Sequence, residues 1–257
     1  MLDIERRTQI LLILKERKSI TVARLSKQLY TSEATIRRDL NKLEKEGLVK
    51  RTYGGVVLVE GLSSEISLSM RETEQLQEKN AIGSVAATLV RDGDIIILDS
   101  SSTTGMMVKY LASKTDLTVL TNGAKTTIML GELLNANIYC TGGQLRKNSL
   151  SYIGEEARSF IARYRADTLF FSCRSLIFDD GLFDSSVEEA ELRRTMLKSA
   201  KRKVLLCDNS KIGKYSFQKI CKVEEIDTII SNAHVEERVI DLLKEKGVGV
   251  ILTETKQ

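Results

Sequence analysis

Seven short apolar runs lie between residues 94 and 252: DIIILD, LTVLT, NIYCT, DTLFFS, KVLLCD, IDTIIS and VGVIL. Helical stretches separate them. Continuous apolar runs of strand length, alternating with helices, predict crossover units and a mainly parallel sheet covered on both faces. The fold class is therefore α/β. In open sheets of this kind ligands gather beyond the carboxyl ends of the strands, so function is sought there first.

Those ends carry unusual residues. LDSSSTTG sets Asp99 ahead of five hydroxyls (Ser100, Ser101, Ser102, Thr103 and Thr104) that lead into a helix. Hydroxyls, backbone N–H groups and a helix dipole together can cradle a phosphate. TNGAKTT brings Thr121 and Asn122, TGGQLRKNS brings Gly142 and Gly143, and CDNSKIGK supplies Lys211 to neutralise an anion. Each alone also reads as a turn or a helix cap. Their joint placement at strand ends favours a binding site.

The chain before this region has a different character. Residues 1–58 carry a formal charge of +6 and the remainder −2, which points to a basic module that meets a polyanion. Ile10, Leu11, Ile13 and Leu14 recur at helical spacing. SITVARLSKQLY reads as a short strand and a helix with Val22, Leu25 and Leu29 inward, with Thr31 or Ser32 free to cap the next helix. On that third helix Ile36, Leu40 and Leu43 share one face, and Thr35, Arg38, Asn41, Lys42 and Lys45 fan across the other. Such a helix fits a major groove, with Ser32, Glu33 and Thr35 near base edges and Arg37 and Arg38 on bases or phosphates. Gly47 ends it. LVKRTYGGVVLV then predicts two short strands forming a wing, whose Lys50, Arg51 and Tyr53 lie along the DNA backbone or minor groove. The polar segment 59–79 reads as a linker merging into a helix near Gln75, which gives domains 1–58 and 80–257.

TSEATIRRDLNKLEKEGLVKRTYGG resembles the signature of the DeoR family of bacterial transcriptional regulators, a Ser-x-x-Thr-Ile-Arg-Arg-Asp-Leu core followed by an Arg-x-His-Gly-Gly wing. Ser32, Thr35, Ile36, Arg37, Arg38, Asp39 and Leu40 match the core, Arg51, Gly54 and Gly55 match the wing, and Tyr53 replaces the histidine. The resemblance extends over nearly the whole chain. It implies a sugar-phosphate sensor domain with a fold related to ribose-5-phosphate isomerases and coenzyme A transferases. The family's Asp-Ser-Gly-(Ser/Thr)-Thr loop is similar to Asp99–Thr103, its Thr-Asn to Thr121 and Asn122, its Thr-Gly-Gly to Thr141–Gly143, and its Asp-x-Ser-Lys to Asp208–Lys211. DDGLFDSSVEEAELRR is similar to a segment that contributes a glycine and acidic residues near the ligand, here Gly181 and Glu189. Ser101 and Ser175 stand where glycine is usual. If the backbone at Ser101 needs a positive φ, the serine is strained or the loop reshaped.

The resulting expectation is a DNA-binding repressor of a sugar-metabolism operon, controlled by a phosphorylated sugar, with no catalytic residue, metal or other cofactor. Reading two half-sites implies a homo-oligomer, a dimer or tetramer, on double-stranded operator DNA. The alternative is an isomerase-like enzyme with a DNA-binding head, for which Asp99, Asp179, Asp180 or Glu189 would be the base. The isomerases' Asp-Gly-Ala-Asp signature is missing, and the one histidine, His234, reads as the start of a helix. A third reading makes the second domain a pure scaffold, against which the hydroxyl loop argues. Cys140, Cys173, Cys207 and Cys221 lack metal or redox spacing and read as reduced thiols. No apolar run approaches membrane-spanning length, so a cytoplasmic protein without a membrane partner is expected.

Overall fold

The computed structural model describes residues 2–59, 67–232 and 235–253. The chain divides into two compact units, residues 1–74 and 75–257.

In the first unit α1 (Asp3–Arg17) leads into β1 (Ser19–Thr21), α2 (Val22–Gln28), α3 (Glu33–Lys45) and the strands β2 (Val49–Thr52) and β3 (Gly55–Leu58). Ile10, Leu11 and Leu14 of α1 bury against Val22 and Leu25 of α2 and Ile36, Leu40 and Leu43 of α3. The strands form an antiparallel sheet in the order β1-β3-β2. Gly54 turns the β2–β3 hairpin at φ 79, and a Cβ on Gly55 would stand 3.0 Å from the Ile20 carbonyl oxygen of β1. The glycine pair thus serves two needs, a left-handed turn and a close strand approach.

The stretch expected as a linker, 59–79, contains more structure than its polarity suggests. Residues 60–66 lie outside those described. A helix α4 (Leu68–Thr73) follows, its Met70 fully buried in the first unit's core and the Thr73 hydroxyl 3.2 Å from that of Thr8. Six residues are too few to show helical periodicity, and it is burial against α1 that holds them. Helix α5 (Leu76–Thr88) then opens the second unit.

Its framework is β4 (Ile95–Leu98), α6 (Ser102–Gly105), β5 (Thr118–Thr121), α7 (Ala124–Leu133), β6 (Asn137–Cys140), β7 (Gln144–Arg146), β8 (Ser151–Ile153), α8 (Glu155–Ala162) and β9 (Ala166–Phe171). There follow β10 (Ser175–Ile177), β11 (Gly181–Asp184), α9 (Val187–Ser199), β12 (Ala200–Cys207), β13 (Gln218–Cys221), β14 (Thr228–Ser231), α10 (Glu237–Glu245) and β15 (Gly249–Leu252). All seven expected strands join one parallel sheet, ordered β15-β14-β12-β9-β4-β5-β6. Alternate residues serve opposite faces. Ile97, Leu120, Leu169, Phe171, Leu205 and Ile229 pack with α8, α9 and α10, while Ile96, Leu98, Val119, Phe170, Val204 and Ile230 pack with α5 and α7. Chain order reverses between β4 and β9, the place where a parallel sheet opens a binding site.

Two smaller pieces were not announced by the sequence: the hairpin β7–β8, and an antiparallel sheet ordered β10-β11-β13. In the latter Gly181, at φ 154, sits so close to β13 that a Cβ would overlap the Cys221 carbonyl oxygen. The approach of two strands explains this glycine. Cys173, Cys207 and Cys221 are buried free thiols and Cys140 is partly buried. No helix among the described residues is long and apolar enough to cross a membrane.

Candidate nucleic-acid interface and polar cluster

Helix α3 is set by its own cap and by α1. The Ser32 hydroxyl accepts from the Thr35 N–H at 3.3 Å and lies 3.0 Å from the Thr35 hydroxyl, so both residues help start the helix. Asp39, one of the resemblance residues, is buried beside Ile36 and Leu40. Its carboxylate takes both arms of Arg6 from α1, at 2.5 and 3.2 Å. Arg7 adds a 3.0 Å contact to Glu46 just past the end of α3. This clasp fixes how α3 is presented. Helical spacing from Ile36 and Leu40 could have flagged Asp39 as inward, but its partner on α1 could not be read from spacing.

The outer surface of α3 presents the expected cations. Arg37 and Arg38 are exposed, Arg37 in a 3.2 Å ion pair with Glu33. Lys42 bonds Asp3 at 2.6 Å, which draws that carboxyl below its ordinary pKa. Lys50 is exposed on β2. Arg51 is half-buried, its side chain held by Asn41 and its backbone N–H by Glu44 at 2.8 Å, and this ties the wing to α3. Tyr53 stands fully exposed at the hairpin tip. The nine residues expected at a DNA surface thus all belong to α3, its cap or the adjoining hairpin.

In the second unit the loops after β4, β5, β9 and β12 converge. Asp99 is fully engaged: Oδ1 accepts from the Ser101 N–H at 3.0 Å and the Thr104 hydroxyl at 2.8 Å, and Oδ2 from the Ser172 N–H at 3.2 Å and Arg193 Nε at 3.0 Å. Its carboxylate organises the hydroxyl loop. Ser101 has φ −72 and caps α6 through the Thr104 N–H. A serine therefore suits this position without strain. Ser175, the other site of a usual glycine, is a buried β10 residue whose hydroxyl has no partner among the described residues.

Lys211 reaches into this loop. Its Nζ lies 3.0 Å from the Thr103 hydroxyl, 2.8 Å from the Ser172 hydroxyl and 3.1 Å from Asp208 Oδ2. Burial opposes the charge on Asp208, but Lys211, the Ser210 hydroxyl and Lys79 outweigh it and hold the carboxyl down at about 2. Burial likewise opposes the Lys211 charge, and Asp208 raises its pKa above the ordinary value. The cluster keeps a fixed cation among hydroxyl groups. Ser102 and Thr103 are buried at the start of α6. Asn122 donates to the Tyr152 carbonyl at 3.2 Å, and its buried Oδ1 has no partner among the described residues. The Thr121 hydroxyl accepts from the Gly123 N–H at 3.0 Å. Gly142 and Gly143, at φ 64 and 101, make the turn after β6, where a Cβ on Gly143 would press on the Ile153 carbonyl.

Glu189 belongs to a second, deeper layer. Its Oε1 accepts from Ser151 at 2.5 Å, and its Oε2 faces Arg193 Nη1 at 3.2 Å. Arg193 also binds Asp184 at 2.8 Å, so one buried guanidinium gathers three carboxylates, which raise its pKa despite burial. Gly181 serves the close approach of β11 to β13. Ser172 and Arg193 were not singled out from sequence. Ser172 ends a predicted strand and so had a signal, while Arg193 is four residues past Glu189 on the same helix face. His234 lies outside the described residues.

A winged helix-turn-helix followed by a parallel α/β unit with a polar cluster at its switch point defines a DNA-binding regulator with a sensor domain. Residues 6–61 match the DeoR-like helix-turn-helix domain and residues 74–233 the DeoR C terminal sensor domain, and the chain belongs to the DeoR family of transcriptional regulators. It is 37% identical to the HTH-type transcriptional regulator YulB of Bacillus subtilis, over 97% of this chain and 96% of that one. It is 34% identical to the HTH-type transcriptional repressor GlcR of Bacillus subtilis, with the same coverage of 97% and 96%. Both relatives are named as regulators, not enzymes. Among solved structures, ribose 5 phosphate isomerase A of Neisseria gonorrhoeae shows a TM-score of 0.39 and 11% identity over 54% of this chain and 53% of that chain.

Proposed function

We propose that this protein is a cytoplasmic repressor of a sugar-metabolism operon that binds double-stranded operator DNA as a homo-oligomer and changes its DNA affinity when a phosphorylated sugar occupies the polar cluster. The observation that carries this reading is Lys211 Nζ held within 3.0 Å of the Thr103 and Ser172 hydroxyls beside the start of α6. A phosphate can exchange for those hydroxyl contacts, taking charge from Lys211 and hydrogen bonds from the loop. The unpaired Asn122 Oδ1 offers an acceptor for a sugar hydroxyl. Repression follows the name of the GlcR relative.

Catalysis is no part of this reading. An isomerase needs a carboxylate in the site free to take a proton from carbon, whereas Asp99 and Glu189 are both tied to Arg193 and to other donors, Asp180 pairs with Lys219, and Asp179 stands exposed. Switching needs only unequal affinity of the sugar phosphate for two conformations, and a coupling of about 1–3 kcal/mol changes DNA affinity roughly 5- to 150-fold.

The test begins with duplexes selected by the purified full-length protein from a random-sequence pool. Binding is then titrated with a panel of phosphorylated sugars and their unphosphorylated counterparts. Release by one phosphorylated sugar only, lost in Lys211→Met, is the expected result. Selective DNA binding that no phosphorylated sugar alters would overturn the effector assignment.

A further inference from the structure

Tyr30 lies in the turn between α2 and α3 and is 97% exposed, with φ 50. Left-handed backbone is costly for a residue with a β-carbon, and glycine or asparagine adopts it more readily. The left-handed backbone closes α2, with the Tyr30 N–H donating to the Lys27 carbonyl at 3.4 Å, and it asks nothing of the ring. The turn is pinned without the ring, by Ser26 Oγ donating to the Thr31 carbonyl at 2.6 Å, the Thr31 N–H to the Ser26 carbonyl at 3.0 Å and the Thr31 hydroxyl to the Leu29 carbonyl at 3.0 Å. The phenol has no hydrogen-bond partner among the described residues. A large aromatic group thus stands in solvent on a fixed backbone, at a position that a smaller residue would fill better.

Its place in the fold supplies a reason. Tyr30 follows Lys27, exposed in the last turn of α2, and precedes Ser32, the cap of α3. In a helix-turn-helix the first helix crosses the DNA backbone and the start of the second enters the major groove, so the turn between them stands over sugar and phosphate. Exposed Arg24, Lys27, Arg37 and Arg38 on the two helices that flank the turn select a polyanion as the occupant.

We propose that Tyr30 is a DNA-backbone contact that seats the start of α3 in the groove, its hydroxyl donating to a phosphate oxygen and its ring lying on the adjoining deoxyribose. The inference rests on the reading of α3 as the groove helix. Because the phenol is neutral, its contact releases no counterion, which separates it from the lysine and arginine contacts.

The test uses the full-length protein and a duplex it selects from a random pool, with Tyr30→Asn, Tyr30→Phe and, as a control, Arg38→Ala. Tyr30→Asn raises the thermal midpoint, since backbone cost is relieved and no buried contact is lost, yet weakens the duplex about tenfold. Tyr30→Phe weakens it about threefold, and both variants keep the wild-type slope of log K against log salt. Phosphate-ethylation interference loses one position per half-site in Tyr30→Phe. Binding within twofold of wild type in both tyrosine variants, while Arg38→Ala abolishes sequence preference, overturns the proposal alone. A lower thermal midpoint in Tyr30→Asn overturns it by showing that the ring serves the fold. Sequence preference surviving in Arg38→Ala overturns the groove-helix reading, and this proposal with it.

Discussion

Arg193 and Asp99 lie 94 residues apart in sequence, and their side chains meet at 3.0 Å beneath the hydroxyl loop. Asp99 uses its other oxygen to hold Ser101 and Thr104, so a residue on α9 governs the shape of the loop after β4. The same guanidinium holds Asp184 and Glu189. The polar cluster is therefore built from the middle of the domain outward, and not from the loop alone.

Replacing Arg193 with methionine leaves three buried carboxylates without their common cation. Breaking a buried pair in this way costs about 3–5 kcal/mol, more than the pair itself contributes, because the stranded charge remains. Arg193→Lys keeps the charge but loses the fork geometry, and its loss should be intermediate. Urea unfolding of the full chain, followed by circular dichroism, measures both. A loss below about 1 kcal/mol in the methionine variant would show that the carboxylates find other partners.

Ser101 offers a smaller and more local test. As the cap of α6 it should lose about 1 kcal/mol on change to alanine and only a few tenths on change to glycine. If the position required positive φ, glycine would instead stabilise the loop. Thermal unfolding of the two variants decides by the order in which they fall.

Asp208 gives a pH signature. Its folded pKa, about 2, lies below the unfolded value of 3.8, so its contribution is fully present above pH 4 and is lost as pH falls through 2. The size is on the order of 2 kcal/mol. The stability gap between the wild type and Asp208→Asn should narrow by that amount between pH 5 and 2, measured by denaturant titration at each pH. A constant gap would mean that Lys211 does not hold the carboxylate ionised.

The sequence displayed the large sheet because its strands are buried on both faces and become unbroken apolar runs. It displayed the recognition helix because a core face and a basic face alternate at 3.6 residues. What it concealed depends on partners distant in sequence. β10, β11 and β13 are short and become a sheet only by pairing with one another, and α4 becomes a helix by burying Met70. Strand ends drew attention to Asp99, Asn122 and Lys211, which the fold brings to one end of the sheet, yet spacing could not reveal that Asp99 is saturated by protein donors. Gly181 shows the same dependence on a distant partner, since the carbonyl of Cys221 on β13 is what requires a glycine there.

Asp39 should couple stability to DNA reading. Its carboxylate is buried and paired with Arg6, so Asp39→Asn weakens the bond to a guanidinium that keeps Asp3 at 4.0 Å, at a cost of about 1–3 kcal/mol. Arg6→Met with Asp39→Leu replaces the pair by apolar groups and should recover much of that stability. The recovery of DNA binding is the sharper measurement. If the double variant folds like wild type and binds the selected duplex equally well, the pair orients nothing that packing alone does not.

The wing is best tested through salt. Lys50 is exposed on β2, and Arg51 is held by Asn41 in a position fixed relative to α3. A phosphate contact by either residue displaces about one condensed counterion from the duplex, so Lys50→Ala and Arg51→Ala should each lower the slope of log K against log salt by about 0.9. Their effect should be nearly uniform across sequences, whereas Arg38→Ala should remove the difference between the selected duplex and a scrambled one. Arg51 carries a second consequence. Because it also ties the hairpin to α3, its removal should loosen the wing and speed hydrogen exchange at Val56, whereas Lys50→Ala should leave exchange unchanged. Equal exchange in the two variants, with equal changes in salt slope, would reduce Arg51 to a charge like any other.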